Sequence, residues 1–231
     1  LEYINYFQEK TPDWIHVYPP DTQGPFDIAH AVYGDDLLYD LYDNPDFVHK
    51  VMNLSTNIYI KVTKKIKKAL GEEKDCCYHG HALALGIYMR NGGARISEDS
   101  ATLIKPEHIK EFVIPYYKEA LSTFEGGFIH YCGKNNHLLK EYLNLEEVKA
   151  INFGNPEKHN FKKTMKKIIE AEKVYFGLWP KKDKETVEEY IRRMKKASKR
   201  GMKGLLLHFN KKMYPNYSCE EILNKWNFLM Q

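Results

Sequence analysis

The chain has little of what marks several common protein classes. Four cysteines occur in 231 residues. Cys76 and Cys77 are adjacent and poorly placed to pair with each other, and Cys132 and Cys219 stand alone. No disulfide framework is visible, so a reducing cytoplasm fits best. No apolar run approaches the ~20 residues that a membrane span needs, and no signal peptide precedes the first charged residues. The net charge is only +4, too small a surplus to imply nucleic acid. The lysine clusters at 64–68, 162–167 and 195–199 read as solvated helix faces. Arginine is scarce: Arg90 and Arg95 are the only ones before residue 192. No glycine-rich turn follows any strand-like segment, which argues against a nucleotide-binding sheet. An initiating Met is also missing. The chain starts at Leu1 inside a helical pattern, and a fragment or processed chain is expected.

A hydrophobic content of 43% in this length supports one sizeable domain spanning 1–231. Residues 14–18 read as a short buried strand closed by Pro19 and Pro20. Asn44-Pro45 opens a long amphipathic helix that ends before Gly71. Residues 75–92 are ambiguous, and 76–85 read as a strand followed by a turn. Beyond Gly92 strand and helix alternate five times. The strands are 93–97, 127–130, 148–152, 173–177 and 204–208. The helices are 106–124, reset at Pro115, then 136–143, 160–171, 185–199 and 218–230, the last with Ser218 and Glu221 as a capping box. Ile129, Ile151, Phe176 and Leu206 mark successive strand centres 22, 25 and 30 positions apart. Short apolar strands without alternation, joined by helices, signal a parallel sheet covered on both faces. A closed (β/α)₈ barrel incomplete at its N-terminus is the expected α/β architecture, and an open doubly wound sheet is the alternative. An unclosed barrel would expose an edge strand and favour dimers.

Ligands of parallel α/β folds bind beyond the carboxyl ends of the strands. Those positions carry Tyr18 and Asp21, then Glu98 and Asp99, then His130 and Cys132, then Asn152 and Asn155, then Trp179, then His208. The sharpest motif is Ile129-His130-Tyr131-Cys132-Gly133. Side chains two apart on a strand point the same way, and imidazole with thiolate is a good zinc pair. Spacing alone slightly favours the other reading, an ordinary buried cysteine beside a backbone-bonded histidine. Glu98 and Asp99 are candidate acid–base residues, and His208 is a candidate third ligand or base. Tyr18, Asp21, Asn152, Asn155 and Trp179 are candidate substrate contacts. His79 with His81, and Cys219 past a helix N-cap, are weaker ligand candidates.

Arg95-Ile-Ser-Glu-Asp-Ser-Ala101, the Pro106–Pro115-Tyr116 segment, Gly127-Phe-Ile-His130-Tyr-Cys132-Gly133 and Ile151-Asn-Phe-Gly-Asn-Pro156 together resemble the uroporphyrinogen decarboxylase superfamily. Gly24-Pro25-Phe26 and Tyr39-Asp-Leu-Tyr-Asp-Asn-Pro45 add to it, in order, from about residue 17 to 210. The resemblance implies a (β/α)₈ barrel and two chemistries. One is metal-free decarboxylation of a porphyrin-type carboxylate. The other is zinc-dependent methyl transfer involving a corrinoid protein or a thiol. His130-x-Cys132-Gly133 is similar to the zinc motif of the methyltransferase branch and implies His130 and Cys132 as ligands. That branch supplies a third ligand, a cysteine, just after the last strand. Here the position reads Leu207-His208-Phe209-Asn210, so either His208 substitutes, or Cys219 reaches back, or the zinc is absent. The gap also leaves room for a non-catalytic binding relative. The arginine-rich segment of the decarboxylases has no counterpart in this chain.

Overall fold

The computed structural model describes residues 1–79, 87–198 and 204–230. Four helices come first: α1 Glu2–Lys10, α2 Pro25–Tyr33, α3 Asp36–Asp43 and α4 Pro45–Leu70. Helix α4 has Pro45 at its first positions, where a missing N–H costs nothing. It ends on Gly71 in the left-handed region at φ 70°, a backbone that glycine adopts without a Cβ penalty. Its core stripe is Val48, Met52, Tyr59, Ile66 and Leu70. Ile58 and Val62, which share the sequence period, face outward.

Strands β1 Cys76–His79 and β2 Ile87–Arg90 form an antiparallel hairpin. Then come β3 Ala94–Ser97, α5 Pro106–His108, a π-helical turn Ile109–Val113 and α6 Ile114–Ser122. The π turn has a local cause. Pro115 has no N–H and its ring crowds the carbonyl four residues back. The ladder therefore slips by one residue, and the Ile114 N–H donates to the Ile109 carbonyl. The remaining units are β4 Gly127–Tyr131, α7 Asn136–Asn144, β5 Val148–Phe153, α8 Phe161–Glu170, β6 Val174–Gly177, α9 Val187–Ser198, β7 Leu205–Leu207 and α10 Cys219–Met230. The capping box of α10 forms as the sequence predicts, with reciprocal Ser218 and Glu221 bonds at 2.7 and 3.1 Å.

Strands β3 to β7 make one five-stranded parallel sheet in chain order. Ile129 pairs with Ile151, Ile151 with Tyr175, and Phe176 with Leu206, so two of the three successive pairings of sequence-read centres are in register and the β5–β6 pairing is off by one residue. The fold is α/β, but the closed eight-stranded barrel is not formed among the described residues: β3 and β7 are edges. The expected strand at 14–18 is also absent. Trp14 is 82% exposed, and His16 stacks on Tyr78 with ring centroids 3.5 Å apart. The chain reaches the sheet only after the N–H-less Pro19-Pro20 step. It joins there through a single parallel bridge between Gln23 and Ser97.

Alternation divides the sheet into two faces. Ala94, Ile96, Ile129, Tyr131, Ile151, Phe153 and Tyr175 turn into the main core with the helices. The opposite face carries Phe128, Ala150 and Phe176, which pack with Cys77 of the hairpin. The hairpin thus covers the amino-terminal half of that face. His130 and Asn152 lie two residues further along their strands on the same face, and both are buried. No helix among the described residues is long and apolar enough to cross a membrane.

Ile151 is fully buried at the sheet centre. Ile151→Ala is expected to destabilise the protein by about 2–5 kcal/mol, read as a lower urea midpoint. Leu206→Ala, on the half-exposed edge strand, is expected to cost under about 1 kcal/mol.

Candidate metal centre

His130 is the penultimate residue of β4, on the sheet face that the hairpin partly covers, and is 4% exposed. Its Nε2 lies 3.8 Å from the Cys132 Sγ, two residues on, and its Nδ1 lies 2.5 Å from the Asn152 Oδ1. The predicted same-side placement of His130 and Cys132 therefore holds. The third group beside them is Asp99, in the loop after β3. Donor atoms of Asp99, His130 and Cys132 all lie within 4.8 Å of one another. Gly154 makes the close approach possible. A Cβ there would stand 2.4 Å from the Cys132 Sγ and 3.4 Å from the His130 ring.

Three loops are tied together around this cluster. The Asp99 Oδ1 accepts from the Cys132 N–H at 2.5 Å. Asp27, in the first turn of α2, accepts from the Asp99 and Ser100 N–H groups at 2.9 and 2.8 Å. Asn155 accepts from the Gly133 N–H at 2.9 Å. His159, whose pKa burial lowers, has its Nε2 3.3 Å from the Gly133 carbonyl. Burial, and then the Asp99 carboxylate beside it, push the Cys132 thiol above its ordinary pKa. A site with a carboxylate, a neutral thiol and an imidazole nitrogen is rich in donors for a cation.

The other sequence-read residues divide clearly. Asn152 is 2% exposed and touches His130, so it supports the histidine where a substrate contact was expected. Asn155 holds the loop of Gly133. Glu98, expected as an acid–base group, has its carboxyl turned into the helix layer. It is fully buried and accepts from the Asp27 and Ala101 N–H groups at 3.3 and 3.1 Å. It sits one residue after Ser97, so strand alternation sends it to the opposite face from His130. Trp179, expected on the rim, is 4% exposed and packs edge-on against Phe161 and Tyr175. Asp21 pairs with Arg95, and Tyr18 is 43% exposed on the segment before it. His208 is not in the cluster, and Asp99 holds the third place. Cys219 is exposed at the start of α10. His79 ends β1, and His81 lies outside the described residues. Asp27 and Gly154 have no sequence signal of their own, since their roles arise from contacts between distant loops.

A solved structure has a similar fold. A methyltransferase from Methanosarcina mazei matches with a TM-score of 0.59 and 15% identity, over 99% of this chain and 62% of that chain. The fold is methyltransferase-like. At that identity the likeness establishes the fold alone, and the chain spans 62% of the neighbour's length. No protein-family model and no curated protein matches the chain.

Burial, the Asp27 carboxylate nearby and the hydrogen bond to it raise the Glu98 carboxyl well above its ordinary value of 4.5. A carboxyl raised by folding stabilises the native state at pH below the unfolded value. It loses that contribution as pH climbs through the folded one. Glu98→Gln keeps the shape and removes the titration. The variant's stability is expected to rise relative to wild type as pH increases above about 4.5, read from urea midpoints across pH. A wild-type-to-variant difference that stays constant with pH would contradict the buried protonated carboxyl.

Proposed function

We propose that the chain is a zinc-dependent methyltransferase with Asp99, His130 and Cys132 as metal ligands. The reading places the sheet within a barrel of the uroporphyrinogen decarboxylase type, with residues 1–231 acting as one domain. The observation that carries it is the convergence of one oxygen, one nitrogen and one sulfur donor beyond the strand ends. Tetrahedral zinc with bonds of ~2.0–2.3 Å separates its ligand atoms by roughly 3.3–3.8 Å. The 3.8 Å between the Cys132 sulfur and the His130 Nε2 fits that spacing. Three protein ligands leave a fourth position for a reactant. Zinc held there supplies Lewis acidity, lowering the pKa of a bound thiol or polarising the atom that carries the methyl group.

The chain's own residues do the rest. Asp99 is the exposed member of the three, the one a substrate would meet first. The buried imidazole and the half-buried thiol form the inner wall. The β1–β2 hairpin closes the sheet face behind them, so a reactant approaches from the strand ends. A thiol or a corrinoid protein is the class of methyl acceptor or donor that this centre suits. A reducing compartment such as the cytoplasm would keep the cysteines free, and all four are free here. Asp99 also supplies a third donor, whose apparent lack favoured a non-catalytic relative. Arg90 is exposed on β2 and Arg95 is paired with Asp21, which disfavours a polycarboxylate substrate for a metal-free decarboxylase.

Elemental analysis of the purified chain is expected to find about one zinc per molecule. His130→Ala, Cys132→Ser and Asp99→Asn are each expected to weaken zinc binding by at least about 100-fold. The same variants are expected to abolish thiol-dependent demethylation of methylcobalamin. Wild-type protein that demethylates at full rate after exhaustive chelation would refute the reading.

A further inference from the structure

The contacts around Asn152 decide which ring nitrogen of His130 faces the cluster. The Asn152 amide stands 2.6 Å from the Phe176 carbonyl. A carbonyl oxygen only accepts, so the amide atom facing it is the NH₂ group. The other amide atom, facing His130, is then the oxygen, and it too only accepts. The His130 Nδ1 at 2.5 Å therefore carries the hydrogen. Nε2 is left with the lone pair, directed at the side where Cys132 lies. The relay runs across three adjacent parallel strands, since His130 pairs with Asn152 and Phe176 lies on β6.

The backbone makes room for this relay. A Cβ at Gly177 would lie 2.2 Å from the Asn152 amide nitrogen, and Gly177 has φ +124°, a conformation that L side chains rarely adopt. Asn152 is 2% exposed and His130 is 4% exposed, so water competes little for these bonds. A leucine at 152 would fill similar space and offer His130 no acceptor.

We propose that Asn152 is a positioning residue that locks His130 as the Nδ1–H tautomer and so presents Nε2 as a ready metal ligand. This rests on the zinc reading for its purpose, but the tautomer itself does not. Metal-binding histidines generally donate their other N–H to a fixed acceptor, and losing that acceptor typically costs 10–100-fold in metal affinity. Here the acceptor is a side-chain amide, itself oriented by a backbone carbonyl one strand further on.

The test separates the two claims. Long-range ¹H–¹⁵N correlation spectra of the metal-free wild-type protein report the His130 tautomer directly, without any variant. The Nδ1–H form is expected, and an Nε2–H ring would overturn the proposal. Zinc affinity is then measured by competition with a chromophoric chelator. Asn152→Leu is expected to mix the tautomers and weaken zinc binding about 10–100-fold. Asn152→Asp keeps an acceptor for Nδ1–H but loses the donor to the Phe176 carbonyl, so it is expected to retain the tautomer with a zinc affinity between those of wild type and Asn152→Leu. Equal zinc affinity in wild type and N152L would overturn the positioning role. A wild-type protein that holds the Nδ1–H tautomer but binds no zinc would sink the metal reading and uphold the locked histidine.

Discussion

The register between β4 and β5 is the constraint on which the site depends. It sets His130 opposite Asn152 and puts both on the sheet face that the hairpin partly covers. A shift of one residue would send His130 into the helix layer and bring Ile129 or Tyr131 to the site face. Ile129, Ile151 and Tyr175 resist that shift, because they are fully buried on the other face. Apolar packing on one side of the sheet thus fixes polar geometry on the other.

Around that pair the loops are held mainly by carboxylates and amides. Asp27 gathers two backbone N–H groups from the β3 loop, and Asp99 gathers one from the β4 loop. Glu98 sits behind them as a buried acid bonded to the same segment. Asp27 and Asp99 bring negative charge close to one thiol and one imidazole. An arrangement of this kind stabilises a cation more readily than an anion, and it gives Asp99 a path to the cluster that its chain position alone does not reveal.

The two faces of the sheet also explain which parts tolerate change. The helix-facing side is sealed by large side chains such as Tyr131, Phe153 and Tyr175. On the other side the hairpin packs near the amino ends of the strands, and the buried His130 and Asn152 lie toward their carboxyl ends. Glycines at 154 and 177 make room there, since a Cβ would strike the Cys132 sulfur at 154 and the Asn152 amide at 177. Small residues at strand ends therefore serve the site, and bulky ones at strand centres serve stability.

Much of the fold is legible in the sequence because its signals are local. The β/α alternation, the strand centres, the start of α4 and the capping box of α10 follow from residue spacing and caps. So does the shared direction of His130 and Cys132, since strand alternation acts over two residues. The third donor was not legible in that way. His208 occupies an equivalent strand end, yet its distance from His130 depends on how many strands lie between. Asp99 comes from the neighbouring strand and is drawn in by Asp27, over seventy residues away. Trp179 and Glu98 likewise look like rim residues by position, but each turns into the core because a packed partner lies there. The apolar stretch at 14–18 has a strand-like composition and finds no partner strand. Sequence alone settled most of the strands and helices beyond Gly92 through local backbone preference. Tertiary structure settled which side chains meet, because that depends on strand order, register and burial, which bring together residues far apart in the chain.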